Sequence, residues 1–292
     1  ATMAKDMEID IAVDLKGFTE DSRTGILAFR PAPVQVNYLG YPGTMGADYI
    51  DYLIADTILI PEEHKRYYNE KIVYLPGSYQ VNDSSRKISE RIFTRQELGL
   101  PETGFVFCSF NNNYKITTDI FDIWMRLLSK VDGSLLWLFE GNAKSKKNLM
   151  AEAEKRGIPA RRLIFAPRMD LPDHLARHQI ADLFLDTFYC NAHTTASDAL
   201  WAGLPVLTCI GDTFAGRVAA SLLHAVDLPE LITHSHANYE ELAIELATNP
   251  QKLAAIRQKL VQNRGTCPLF DTALFTKHIE KAYSQMWERN QA

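Results

Sequence analysis

From residue 105 onward, strand-length apolar runs alternate with helix-length amphipathic ones so regularly that few folds can hold the chain. Phe105–Phe110 is followed by a helical pattern over Thr117–Leu128, and Leu135–Phe139 by Lys146–Arg156. Arg162–Phe165 is followed by Pro172–Gln179, Asp182–Asp186 by Thr194–Ala202, and Val206–Cys209 by Arg217–Val226. Strands separated by helices of this length run parallel, because each crossover returns the chain to the same end of the sheet. The spacing predicts a doubly wound parallel sheet, whose ligands bind outside the carboxyl ends of the strands.

The first ninety residues are more broken. Ile9–Leu15, Val34–Leu39, Asp51–Ile60 and Lys71–Leu75 read as strands, with a short helix over Ile26–Phe29 stopped by Pro31 and Pro33 and a polar helix near Glu62–Tyr68. Ser78–Ser89 is polar and aperiodic and reads as a linker. Three helical stretches, Tyr239–Ala247, Gln251–Gln262 and Asp271–Glu288, close the chain. A length of 292 residues is long for one core. The organisation expected is residues 1–88 as one lobe, 89–270 as a second, and 271–292 as a helix packing back.

Net charge −5 argues against broad nucleic-acid binding, which needs a basic surface. No apolar run is long enough to span a membrane. Cys108, Cys190, Cys209 and Cys267 lack Cys-x-x-Cys spacing and read as reduced thiols of a cytoplasmic protein. The start, Ala1-Thr2-Met3-Ala4, has neither an initiator methionine nor a signal-peptide pattern, so a fragment beginning inside a domain is expected. The four tryptophans, Trp124, Trp137, Trp201 and Trp287, sit at core spacing.

Polar residues cluster where the predicted strands end. Asn111-Asn112-Asn113-Tyr114-Lys115 follows the first strand of the second lobe, and Arg168-Met169 follows the third, with His174 and Arg177 one turn apart on the next helix. The fourth strand delivers His193-Thr194-Thr195 at a helix start, where N–H groups and the helix dipole favour anions. Asp198 lies one turn further on roughly the same face. In isolation, His-Thr-Thr before a helix is also an ordinary cap. Together, a lysine and a helix N-terminus suit a diphosphate, a flat His or Arg suits a base, and Asp198 suits a ribose: the pattern reads as a nucleotide-diphosphate site. In the first lobe, Gly40-Tyr41-Pro42-Gly43-Thr44-Met45-Gly46 has glycines every third residue, which permits positive φ and close approach of a ligand, or makes a plain tight turn. No Gly-x-Gly-x-x-Gly or Walker sequence occurs. Asp-x-Asp is also absent, and the histidines lack metal-ligand spacing, so no metal and no cofactor are expected. Leaving-group charge would then fall to Lys115 and the helix dipole.

Five collinear segments carry a resemblance: Phe29–Gln35, Leu39–Thr44, Phe110–Ile116, Leu185–Thr187 and Cys190–Thr195, with Arg217–Ser221 fitting as well. They resemble the O-linked N-acetylglucosamine transferase (SPINDLY-like) family of bacterial type, over nearly the whole chain. The resemblance implies a GT-B fold of two Rossmann-like lobes, with the first lobe incomplete here. It also implies inverting transfer of GlcNAc from UDP-GlcNAc to Ser/Thr of proteins, without metal and usually behind tetratricopeptide repeats. Partners implied are protein acceptors and a UDP-sugar, with no nucleic acid and no membrane.

By motif, Lys115 and Asn112 would contact the diphosphate, and Thr194 and Thr195 would hold it beside His193. Lys115 and His193 would be the catalytic pair. His174 would stack on uracil, Arg177 would lie at its edge, the Met169 backbone would read the base and Asp198 would bind the ribose. Gly40, Tyr41 and Pro42 would wall the sugar side. Asn112 stands where animal members have glutamine, and Leu171 where they have lysine. The family's usual base candidate lies upstream of residue 1. Alternatives are another donor on the same fold (GDP-fucose or UDP-glucose), or a donor-binding or partner-binding module without catalysis. The histidine at position 193 favours a UDP-sugar, because the fucosyl branch tends to lack it.

Overall fold

The structure, a computed structural model, describes residues 1–292 and divides into two compact units. The first comprises residues 1–84, 213–215 and 268–292; the second comprises residues 85–212 and 216–267.

In the first unit, a short helix α1 (Thr2–Asp6), not anticipated from the pattern, precedes four parallel strands in sequential order: β1 (Ile11–Asp14), β2 (Val34–Asn37), β3 (Tyr52–Ala55) and β4 (Lys71–Tyr74). The strands are shorter than the apolar runs. The longest run is cut after Ala55, where Asp56 Oδ1 accepts the Ile58 and Leu59 amides and turns the chain. Both predicted short helices here are 3-10 segments, Thr24–Phe29 and Glu62–Tyr67. One face of β2 places Val34 and Val36 in the core. The other buries Gln35 and Asn37, and the Gln35 amide is absorbed by the Leu27 and Tyr49 carbonyls. Much of the Ser78–Ser89 segment is packed rather than free. Tyr79 is buried with its amide on Asp56 Oδ2, and Asn82 donates to the Leu269 carbonyl. Helix α9 (Thr272–Gln291) buries Ala282 and Met286, and Phe275 stacks on Tyr38 at 6.4 Å.

The second unit holds β5 (Val106–Ser109), β6 (Leu135–Phe139), β7 (Leu163–Ala166), β8 (Leu183–Leu185), β9 (Val206–Cys209) and a two-residue β10 (Ile232–Thr233), too short to leave a sequence signal. All pair in parallel, in the order β10-β9-β8-β5-β6-β7. The helices are α2 (Thr118–Lys130), α3 (Ala143–Lys155), α4 (Leu171–Arg177), α5 (Thr194–Trp201), α6 (Val218–Ala225), α7 (His236–Thr248) and α8 (Pro250–Arg264). The chain winds outward from β5 through β6 to β7, then crosses back to β8 on the other side of β5. The topological switch point therefore lies between β5 and β8, where a crevice opens at the strands' carboxyl ends. Trp124 and Trp137 are fully buried, as their spacing predicts. Trp201 and Trp287 are half-buried, at the rims of their units. All four cysteines are free thiols. No helix is long and apolar enough to cross a membrane.

Candidate active site at the switch point

Two strand ends build the site. After β5, Phe110 and Asn111 are buried and the chain tightens into a 3-10 turn, Asn113–Lys115. After β8, the buried Asp186 carboxylate gathers the following turn: Oδ1 accepts the amides of Thr187 (2.8 Å) and Ala192 (2.5 Å), and Oδ2 accepts the Thr208 hydroxyl (2.7 Å). Burial pushes its pKa up to about 6, against the pull of these donors and of Lys115. That turn ends at His193, the N-cap of α5, whose carbonyl accepts the Ala196 and Ser197 amides.

The two strand ends are tied together. The Asn111 amide donates to Thr187 Oγ1 (3.1 Å), and its carbonyl oxygen accepts the Thr195 hydroxyl (2.6 Å). Lys115 Nζ donates to the Asn191 carbonyl at 2.7 Å. A lysine ammonium and the first turn of α5 thus sit at one place, the arrangement an anion needs.

Beside them lies a cavity of about 290 Å³. Asn112, Met169, His174, Arg177 and Thr195, all given roles from the sequence, line it together with Arg168, noted there only for its place at a strand end, and with Phe110 and Phe139, which were given no role. Phe110 is the organiser. The His174 ring lies 5.5 Å from it and the Arg177 guanidinium 4.8 Å, while Arg177 Nη1 donates to the Pro167 carbonyl at 2.5 Å. Burial lowers the His174 pKa to about 4, helped by the charge of Arg177, so the ring is neutral and suited to stacking near pH 7. Burial also lowers Arg177 to about 10. His178, wholly buried behind His174, is held well below its ordinary value.

The low His174 pKa has a consequence for stability. The unfolded chain binds a proton at a histidine pKa near 6.5 that the folded chain refuses, so stability is full above that value and lost as pH falls toward 4. Asp186 acts with the opposite sign between about 6 and its ordinary range. Comparing wild type with His174→Gln by urea unfolding cancels that term. The wild type should lose about 2 kcal/mol more than the variant between pH 7.5 and 5. Parallel pH profiles for the two proteins would refute this.

Asp198, expected at a ribose, is paired with Arg86. Its Oδ1 meets Arg86 Nη1 at 2.5 Å, and both side chains are about nine-tenths buried. Thr194 is exposed and His193 half-buried at the mouth of the turn. Gly40, Tyr41 and Pro42 belong to the first unit, where their loop is pinned by Glu70, which accepts the Thr44 hydroxyl (2.6 Å) and the Met45 amide (2.5 Å). Gly40 is required there by crowding, since a Cβ would fall 2.0 Å from the Leu15 carbonyl oxygen, while the left-handed positions of this segment are Leu39 and Gly46. Asn111, Asp186, Asn191 and Arg86 received no role from the sequence. Asp186 had a signal, an acidic residue closing an apolar strand. Asn111 and Asn191 lay in the polar segments at the strand ends, and Arg86 had no signal.

Comparison with known proteins bears on this geometry. The sequence model of glycosyl transferase family 41 matches residues 1–91 and 85–279. The chain belongs to that family. Among similar proteins, the probable UDP-N-acetylglucosamine–peptide N-acetylglucosaminyltransferase SEC of Arabidopsis thaliana is 40% identical over 286 residues. That match covers 96% of this chain and 29% of the relative. The corresponding SPINDLY protein of Petunia hybrida is 34% identical, over 99% of this chain and 31% of its own length. The chain therefore spans less than a third of either relative. The solved O-GlcNAc transferase of Thermobaculum terrenum (K341M mutant) superposes with a TM-score of 0.87 at 30% identity, covering 99% of this chain and 55% of that one. Anabaena HepE, solved with UDP and glucose, matches with a TM-score of 0.67 at 15% identity, covering 97% and 80%, a likeness of fold alone. The two parallel sheets are those of a GT-B glycosyltransferase.

Proposed function

We propose that this protein transfers GlcNAc from UDP-GlcNAc to Ser/Thr hydroxyls of protein acceptors, with inversion and without a metal ion. What carries the reading is the convergence on one switch-point cavity of a neutral histidine, a buried arginine and Thr195, next to Lys115 at the N-terminus of α5. Support also comes from the similar Arabidopsis and Petunia proteins, named as probable peptide N-acetylglucosaminyltransferases, and from the Thermobaculum O-GlcNAc transferase.

In this reading His174 stacks on the uracil, Arg177 and the Met169 backbone lie at its edge, and Asn112, Thr194 and Thr195 meet the diphosphate. The acceptor hydroxyl oxygen attacks the anomeric carbon as the bond to the β-phosphate oxygen breaks; a single displacement inverts that carbon. The hydroxyl proton passes to a base, and UDP leaves with an added negative charge. Lys115 and the α5 N-terminus face that charge, with His193 beside it. Asp198 reaches a ribose while remaining paired to Arg86.

Calorimetric titration with UDP and with GDP, first in EDTA and then with magnesium, tests the reading. Micromolar UDP binding that ignores metal, with GDP much weaker, is the expected result. Tighter GDP binding would point to a GDP-sugar donor. Binding that requires magnesium would remove the metal-independent mechanism.

A further inference from the structure

We propose that Asp186 is the positioning residue of the diphosphate cradle, setting the place of the donor-binding groups without itself touching the donor. The inference rests on the donor reading above. Asp186 is wholly buried at the end of β8, and the partners of its carboxylate are neutral donors. Such a group is costly to bury, and its hydrogen bonds fall on the segment that carries the cradle.

Two routes leave it. Through the Ala192 amide it fixes the turn just before His193, and with it the Asn191 carbonyl that receives Lys115 Nζ at 2.7 Å. Asn191 is held in turn by its own amide on the Thr187 carbonyl (2.7 Å), one residue from Asp186. The second route runs through Asn111, whose amide reaches Asp186 Oδ1 at 3.5 Å and Thr187 Oγ1 at 3.1 Å, while its oxygen holds the Thr195 hydroxyl at 2.6 Å. Lysine and α5 turn are thereby referred to one carboxylate. Neither route passes through His174, Met169 or Arg177, on the base side of the cavity.

That separation gives the test. Asp186→Ala removes both acceptor oxygens; Asp186→Asn keeps one toward the turn and lets the Thr208 hydroxyl rotate to accept from the new amide. UDP and uridine affinities are measured for each, because uridine lacks the diphosphate. Asp186→Ala should weaken UDP about 10- to 100-fold and Asp186→Asn about three- to tenfold, with uridine within about twofold in both. Asp186→Asn decides the matter if the alanine variant does not fold. An Asp186→Asn protein that binds UDP like wild type, or that loses UDP and uridine alike, overturns the inference and leaves the donor reading standing. Wild-type protein that binds UDP no tighter than uridine removes the donor reading itself, and this inference with it.

Discussion

Lys115→Met should lower the rate of GlcNAc transfer about 10²- to 10³-fold and leave thermal unfolding unchanged, the loss seen when one preorganised donor to a developing anion is removed. Methionine keeps the length and apolar stem of lysine and deletes the ammonium, so the change isolates charge. Stability should not move, because Lys115 is half-exposed and its described bond is a single one to the Asn191 carbonyl. The rate should fall through kcat more than through KM. The diphosphate gains negative charge as the bond to the sugar breaks, and a fixed cation there acts more strongly on the transition state than on bound donor. Initial rates of UDP release at saturating donor make the measurement. A kcat within about threefold of wild type would mean that Lys115 does not face the leaving group.

Arg86→Met should destabilise the second unit by about 3–5 kcal/mol, the cost of leaving a buried charge unpaired. Both side chains of the Arg86–Asp198 pair are nearly enclosed, and Arg86 also lies 5.7 Å over the Trp201 ring, while its carbonyl accepts the Trp201 indole at 3.2 Å. Burial pushes the Asp198 pKa up, and Arg86 holds it down against that push. Without Arg86 the carboxyl takes a proton, which offsets part of the cost. The double variant Arg86→Met/Asp198→Leu should recover most of the loss, because an apolar pair of similar volume replaces a desolvated ionic one. Urea unfolding of the single and double variants checks both halves. A double variant no more stable than the single one would show that the cost lies in the packing around Trp201. UDP affinity of the double variant reads how far Asp198 serves a ribose as well as Arg86.

The alternation of strand and helix in residues 105–226 was legible because it is local: each element declares its period within a dozen residues. The same holds for the α5 start, where Asn-Ala-His-Thr-Thr between an apolar strand and an apolar helix leaves little else to build. His174 and Arg177, one turn apart on α4, were legible as a pair for that reason. Trp201 shows the limit, since its spacing is that of a core residue and it sits half-buried against Arg86. The loop at Gly40 shows another: its glycines were read for positive φ and for close approach, and Gly46 does take positive φ, but Gly40 is there for a carbonyl 25 residues upstream, at Leu15.

By itself, then, the sequence determined the fold class, the strand ends that carry polar residues and most of the side chains lining the cavity, since these follow from periodicity and from the chemistry of turns. The tertiary structure alone decided the strand order that sets β5 beside β8, the meeting of Lys115 with Asn191, the pairing of Asp198 with Arg86 and the place of Asp186 beneath the turn that leads into α5. Lys115 and Asn191 are 76 residues apart and Arg86 and Asp198 are 112 apart. No local pattern records a contact of that range, because it forms only when the crossovers have packed and desolvation selects which buried groups must satisfy one another.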